Sequence, residues 1–201
     1  GEEYHGINSN GFFGITKDGK AIIGTTAEYN STYRGELAEG IAGFGTMLVK
    51  DGELWSGIPT TNYYSDRASR TAVGITATGR VVFMVLDGRQ EPWSCGGSMI
   101  EIAQIMKLAG CVTAVNMDGG GSTTFVARKA GDEELSLVNR PSDGVQRSVS
   151  TSMMMVSTAP SSKTFDSALV ASDYNFMTVG AEVNVTATGL SATNNIVALP
   201  E

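Results

Sequence analysis

The chain has 201 residues, enough for one full hydrophobic core, or for one domain and part of a second. Its 14 Lys and Arg against 21 Asp and Glu leave a net charge of −7, and the basic residues do not cluster, which argues against nucleic acid or an anionic membrane face as a partner. No run approaches the ~18 consecutive apolar residues of a membrane span.

The first block is Gly6-Ile7-Asn8-Ser9-Asn10-Gly11-Phe12-Phe13. The amides of Asn8 and Asn10 both donate and accept, so either one suits a turn or a sugar hydroxyl. Phe12 and Phe13 read as buried rather than as a stacking surface. Strand-like runs follow at 21–24, 46–50, 53–55, 72–76 and 81–86. Lys50-Asp51-Gly52-Glu53 and Ala77-Thr78-Gly79-Arg80 read as tight hairpin turns. Residues 32–43 are a helix candidate interrupted by Gly35 and Gly40.

Arg70 leads into the 72–76 strand, where it is expected to project at a sheet edge. The planar fork of an arginine suits phosphate, although a strand-terminal surface charge fits the same position. Asp87-Gly88-Arg89 again sets a carboxylate and an arginine at the end of an apolar strand. Residues 98–109 read as a helix: Ser98 and Glu101 form a capping box, Met99, Ile102, Ala103 and Met106 share one face, and Gly110 stops it. That helix, roughly 18 Å long, separates Cys95 from Cys111, too far for a disulfide.

The strand at 112–115 runs into Asn116-Met117-Asp118-Gly119-Gly120-Gly121-Ser122-Thr123-Thr124. Glycines leave amides uncovered and permit positive φ, so such a turn suits an oxyanion; a plain Gly-Ser loop is the alternative. Asp118 stands at the strand end, where acid/base or nucleophilic chemistry is readily placed. A strand at 124–127 and a polar loop at 139–147, carrying Asn139, Asp143 and Arg147, lead to a last strand at 149–157. His5 is the only histidine and no D-x-D-x-D-G loop occurs, so neither a zinc nor a calcium site is expected, and no cofactor is implied. Near 158–162 the composition shifts to a linker, and 176–188 alternates like the opening strands of an Ig-like sandwich. The expected organisation is an α+β domain over 1–158, with a mixed, largely antiparallel sheet and one well-defined helix. Residues 159–201 would supply the linker and a partial Ig-like β segment.

Taken in order, five blocks resemble the phosphodiester glycosidase domain family over residues 6–156. They are the 7–13 segment, Arg70-Thr71-Ala72-Val73-Gly74, Asp87-Gly88-Arg89, the run from Ala114 to Thr124, and Asn139-Arg140-Pro141-Ser142-Asp143-Gly144 with Arg147. The first departs from the family pattern by one extra residue, and the family's strands upstream of it are absent. A preceding fragment of the same precursor is therefore an expected partner.

The resemblance implies a hydrolase that cleaves a sugar-1-phosphodiester on an envelope or extracellular glycan, in a secreted or cell-surface protein. It implies Asp118, then Asp87, as catalytic carboxylate. Arg70, Arg89, Arg147, Gly119, Gly120, Gly121, Ser122 and Thr123 would bind the phosphate side of the substrate. Asn8, Asn10, Asn139 and Asp143 complete the substrate-binding set, with Asn8 or Asn10 orienting the sugar. A non-catalytic glycan-binding module and a glycosidase for unphosphorylated exopolysaccharide are the other readings.

Overall fold

A computed structural model describes residues 11–174 and 176–200; Asn8 and Asn10 lie outside the described residues. The described residues up to Phe125, with Asn139–Val149, form one unit. Val126–Val138 and the described residues from Ser150 onward form a second.

The first unit opens with a three-stranded antiparallel sheet of β1 (Phe12–Thr16), β2 (Ala21–Gly24) and β3 (Leu37–Ala42), in the order β2-β1-β3. Between β2 and β3, Thr25 and Glu28 close a capping box on the short α1 (Thr26–Glu28), which runs into a π-type turn at Tyr29–Tyr33. The helix expected over 32–43 does not form. Gly35 takes a φ of 86°, outside any right-handed helix, and β1 offers β3 a ladder. Phe12 is buried against Tyr29 and Tyr33, and Phe13 is also buried, as their sequence context suggests.

The main sheet follows: β4 (Met47–Lys50), β5 (Glu53–Leu54), β6 (Arg70–Thr76) and β7 (Val81–Leu86), then α2 (Met99–Leu108) and β8 (Cys111–Asn116). Its order is β5-β4-β8-β6-β7, antiparallel throughout. Both expected hairpin turns are present, with positive φ at Asp51, Gly52 and Gly79.

Helix α2 lies on one face of this sheet. Ser98 caps it, the Glu101 carboxylate returns to the Ser98 backbone N–H at 2.8 Å, and Gly110 follows with a φ of 83°. Its buried residues are Met99, Ile102, Ala103 and Met106, the face read from the spacing. Ten residues are too few for a helix to persist alone in water. Burying each large side chain contributes roughly 1.5–3 kcal/mol, so packing rather than propensity holds α2. Gly74 permits the close approach, since a Cβ there would lie 2.7 Å from Met106 Cε and 2.5 Å from Cys111 Sγ.

The other face of the main sheet is covered at the start of β1. A Cβ on Gly11 would meet Met47 Sδ at 2.6 Å and Val115 Cγ2 at 2.9 Å. With both faces covered, Met47, Leu48 and Val49 are all at most 1% exposed, which is why β4 reads as a continuous apolar run rather than an alternation.

The second unit holds the hairpin of β9 (Val126–Ala127) and β10 (Ser136–Leu137) and a three-stranded antiparallel sheet. That sheet comprises β11 (Phe165–Ser172), β12 (Val185–Ser191) and β13 (Ile196–Val197). The strand expected at 149–157 is not formed: Met154 is 79% exposed, and among the described residues nothing pairs with this segment. Of the alternating stretch 176–188, only Val185 onward is strand, and its partner β11 carries no alternation of burial. No helix among the described residues is long and apolar enough to cross a membrane.

Candidate active site

Antiparallel pairing gathers the dispersed sequence blocks at one end of the main sheet. In β6, Arg70 lies opposite Leu86 of β7, and Ala72 opposite Asn116 of β8. The start of β6 and the ends of β7 and β8 therefore share an edge, where Asp87 and Asp118 emerge just beyond their strands.

The glycine-rich turn is stapled to the start of β6. Gly120 N–H donates to the Ser69 carbonyl at 2.8 Å, and the Ser69 hydroxyl donates to the Gly120 carbonyl at 2.7 Å. Residues Gly120–Ser122 form one 3-10 turn, in which Ser122 and Thr123 N–H donate to the Gly119 and Gly120 carbonyls. Two of the turn's amides are thus spent within it and a third on Ser69, while those of Gly119 and Gly121 have no backbone acceptor among the described residues. A Cβ on Gly119 would lie 3.0 Å from the Ser69 carbonyl.

Arginines flank the turn. A Cβ on Gly121 would fall 2.2 Å from both Arg147 Nη2 and Asp143 Oδ2. That pair is held by Arg147 Nη2 and Nε donating to Asp143 Oδ2 at 2.6 and 3.1 Å, and Arg147 Nη1 reaches Ser122 Oγ at 3.3 Å. Arg89, on a backbone φ of 59°, lies over Gly120, with Nη1 3.6 Å from where a Cβ would stand. Among the described residues Arg89 has no ion pair and no side-chain hydrogen bond. Asp118 is exposed.

Four of the expected site residues are instead bonded to other parts of the protein. Arg70 does not project at a sheet edge: β6 is an interior strand, and Arg70 is 1% exposed. Its Nε donates to the Gly97 carbonyl at 3.0 Å, and Nη2 donates to the Tyr63 and Asp66 carbonyls at 2.8 and 2.7 Å. The guanidinium lies 4.9 Å from the Tyr63 ring centroid. Burial pulls its pKa below the ordinary arginine value. Three carbonyl hydrogen bonds and a ring face thus compensate this cation, and the Asp66 charge adds a weaker attraction.

Asp87 is equally engaged. Oδ1 accepts from Asn139 Nδ2 at 3.1 Å and Arg140 N at 3.0 Å, and Oδ2 accepts from Trp93 Nε1 at 3.1 Å. Asn139 also donates to the Thr123 carbonyl at 3.0 Å and accepts from Phe125 N at 2.7 Å. Thr123 is fully buried, its hydroxyl 3.2 Å from that of Thr71.

Sequence reasoning missed an aromatic pair beside these groups. Tyr63 is in the 3-10 turn Asn62–Tyr64, and its ring meets Phe44 edge-on with centroids 5.9 Å apart. Burial raises the Tyr63 phenol pKa, partly offset by Arg70 and Asn116, and the Asp118 charge also acts on it. No pattern marks either residue in the sequence, because both are in loops between strands. The two cysteines are free, as their separation suggested. Among the described residues no group of three or more His, Cys, Asp or Glu side chains is placed to hold a metal ion.

A family model described as phosphodiester glycosidase matches residues 1–156. The N-acetylglucosamine-1-phosphodiester alpha-N-acetylglucosaminidase of Bos taurus is 37% identical over 79 residues, 39% of this chain and 14% of that one. The Homo sapiens protein of the same name is 35% identical over 79 residues, again 39% of this chain and 14% of its own. An SPbeta prophage-derived uncharacterized protein of Bacillus subtilis is 31% identical over 109 residues, 53% of this chain and 16% of that one. Among solved structures, the zebrafish N-acetylglucosamine-1-phosphodiester alpha-N-acetylglucosaminidase catalytic domain, auto-inhibited by its pro-peptide, matches with a TM-score of 0.52. It is 27% identical, with 66% of this chain and 45% of that chain covered. The chain therefore spans 14% to 16% of the length of these curated relatives.

Proposed function

The chain belongs to the phosphodiester glycosidase family, and we propose that it hydrolyses a sugar-1-phosphodiester to the free sugar and a phosphomonoester. The observation that carries this reading is the pairing of Arg89 and Arg147 across the glycine-rich turn, with the exposed Asp118 at its start. Two arginines beside bare backbone suit a phosphodiester anion, and Arg89 has no competing acceptor among the described residues. A phosphomonoester is already a good leaving group, so the site needs less general-acid help than ordinary glycoside hydrolysis. Its remaining tasks are to stabilise an oxocarbenium-like centre and to deliver water, and both suit a carboxylate.

In this reading Arg89, Arg147, Ser122 and the amides of Gly119 and Gly121 hold the phosphate. Asp118 is the catalytic carboxylate, and Asp143 orients Arg147. Arg70, Asp87, Asn139 and Thr123 become positioning residues: their polar atoms fix the loops that carry the others. Placing the catalytic unit within residues 1–158, and the substrate on an extracellular or envelope glycan, is part of the same proposal. The low Lys and Arg content supports a site that recognises a single phosphodiester through a few placed arginines, rather than through a broad basic field.

The test is incubation with a panel of sugar-1-phosphodiesters, following free sugar and phosphomonoester separately. Both products should form together, and Asp118→Asn should abolish turnover while leaving the unfolding midpoint in place. Undiminished turnover by that variant would remove Asp118 from the role. Binding of the panel without any product would favour a glycan-binding module.

A further inference from the structure

Phe44 and Tyr63 are 50% and 37% exposed, yet both are held firmly. The Phe44 backbone is fixed from both sides by Asn116: Phe44 N–H donates to the Asn116 carbonyl at 2.8 Å, and Asn116 Nδ2 donates to the Phe44 carbonyl at 2.5 Å. The Tyr63 carbonyl accepts from Arg70, its ring lies over the same guanidinium, and Tyr64 packs edge-on against it at 5.2 Å. Asn116 precedes Asp118 by two residues, and Gly119 packs on the Arg70 backbone, with a built Cβ 3.5 Å from Arg70 Cα. The aromatic pair therefore stands beside the proposed catalytic carboxylate.

Exposed apolar side chains scattered singly are ordinary, whereas contiguous ones mark binding surfaces. Here two are in contact, held by backbone and buried-cation bonds, beside a site expected to receive a sugar. The C–H face of a pyranose ring is apolar and matches such a surface, while its hydroxyls stay free for polar groups. Side chains already held in place lose little freedom on binding.

We infer that Phe44 and Tyr63 form the wall against which the sugar ring of the substrate packs, and that they select a pyranosyl phosphate over a phosphate of an acyclic alcohol. The inference rests on the proposed sugar-1-phosphodiester reading and names its sugar subsite. The Tyr63 hydroxyl, beside Arg70 and Asn116, remains protonated near neutral pH and supplies a donor to a substrate oxygen.

The experiment measures binding apart from turnover. Saturation-transfer NMR follows the ring protons of a panel of hexose 1-phosphates, with glycerol 1-phosphate as the acyclic control, on the full chain. Ring protons of at least one hexose 1-phosphate should receive transfer. Phe44→Ala should weaken its binding about tenfold, and Phe44→Trp should restore most of that loss. Glycerol 1-phosphate affinity should change by less than about twofold in both variants. Tyr63→Phe keeps the ring and should lose only the hydrogen-bond part, about three- to tenfold.

No transfer from any hexose 1-phosphate, or an equal loss for the acyclic control, would overturn the inference. Sugar binding that depends on Phe44, without turnover of any phosphodiester, would leave the wall in place and defeat the hydrolase reading alone.

Discussion

Replacing Arg70 by Met tests whether this arginine is architectural. Methionine keeps much of the buried volume but removes the charge and every donor. The guanidinium donates to the carbonyls of Gly97, Tyr63 and Asp66 and is 1% exposed. Hydrogen bonds from a charged donor are each worth about 1.5–3 kcal/mol, so the gross loss for the three is roughly 4.5–9 kcal/mol. Removing the cation also removes its desolvation cost, which shows as a lowered pKa. The Tyr63 and Asp66 carbonyls are in an exposed loop and regain water. A net destabilisation of about 1–3 kcal/mol remains, the cost of a buried acceptor losing its partner. Urea unfolding followed by circular dichroism should show a lower midpoint with an unchanged slope. A change below about 0.5 kcal/mol, with a raised KM for a phosphodiester, would place Arg70 on the substrate and refute the reasoning.

Gly121→Ala must displace the Asp143–Arg147 pair, because its Cβ would fall 2.2 Å from both side chains. The pair is half-exposed, so stability should fall by only about 1 kcal/mol, whereas kcat/KM should drop about 10- to 100-fold through the misplaced arginine. Asp87→Asn turns an acceptor into a donor against Asn139, Arg140 or Trp93. It should cost about 1–3 kcal/mol and shift Trp93 fluorescence, whereas a lost kcat with unmoved stability would make Asp87 catalytic.

Glu101 supplies the pH test. Its carboxyl is held below the ordinary value first by the Ser98 backbone N–H, then by the Ser98 hydroxyl and Arg67, with burial opposing. A depressed folded pKa gives stability that is present above the unfolded value and lost as pH falls through the folded one. The unfolding difference between the unaltered chain and Glu101→Gln should be full near pH 7, begin to fall near the ordinary carboxylate value of about 4, and vanish only once the pH is below the depressed folded value. A difference that persists at that acidity would show that the charge is not what caps α2.

Local signals carried much of the fold. The α2 face, its capping box and its glycine stop all depend on residues within a few positions of one another, and the structure reproduces each. Hairpin turns behave in the same way. Segments whose state depends on a distant partner are less legible in the sequence. Residues 37–42 pair with β1 although the surrounding residues suggested a helix, and 149–157 lacks a ladder despite its apolar, β-competent run.

For the candidate site, the residues themselves identified the glycine-rich turn and the blocks around it, because a run of three glycines beside a carboxylate limits what the backbone can do. Which way each polar side chain points was a tertiary matter. Arg70 and Arg89 both accompany apolar strands in the sequence, yet one is sealed by three carbonyls and the other stands free of any acceptor among the described residues. Likewise, Asp87 is consumed by three donors while Asp118 is exposed. The distinction comes from strand order and loop closure, which set how much solvent and how many partners each charge meets; neither quantity is local to the chain.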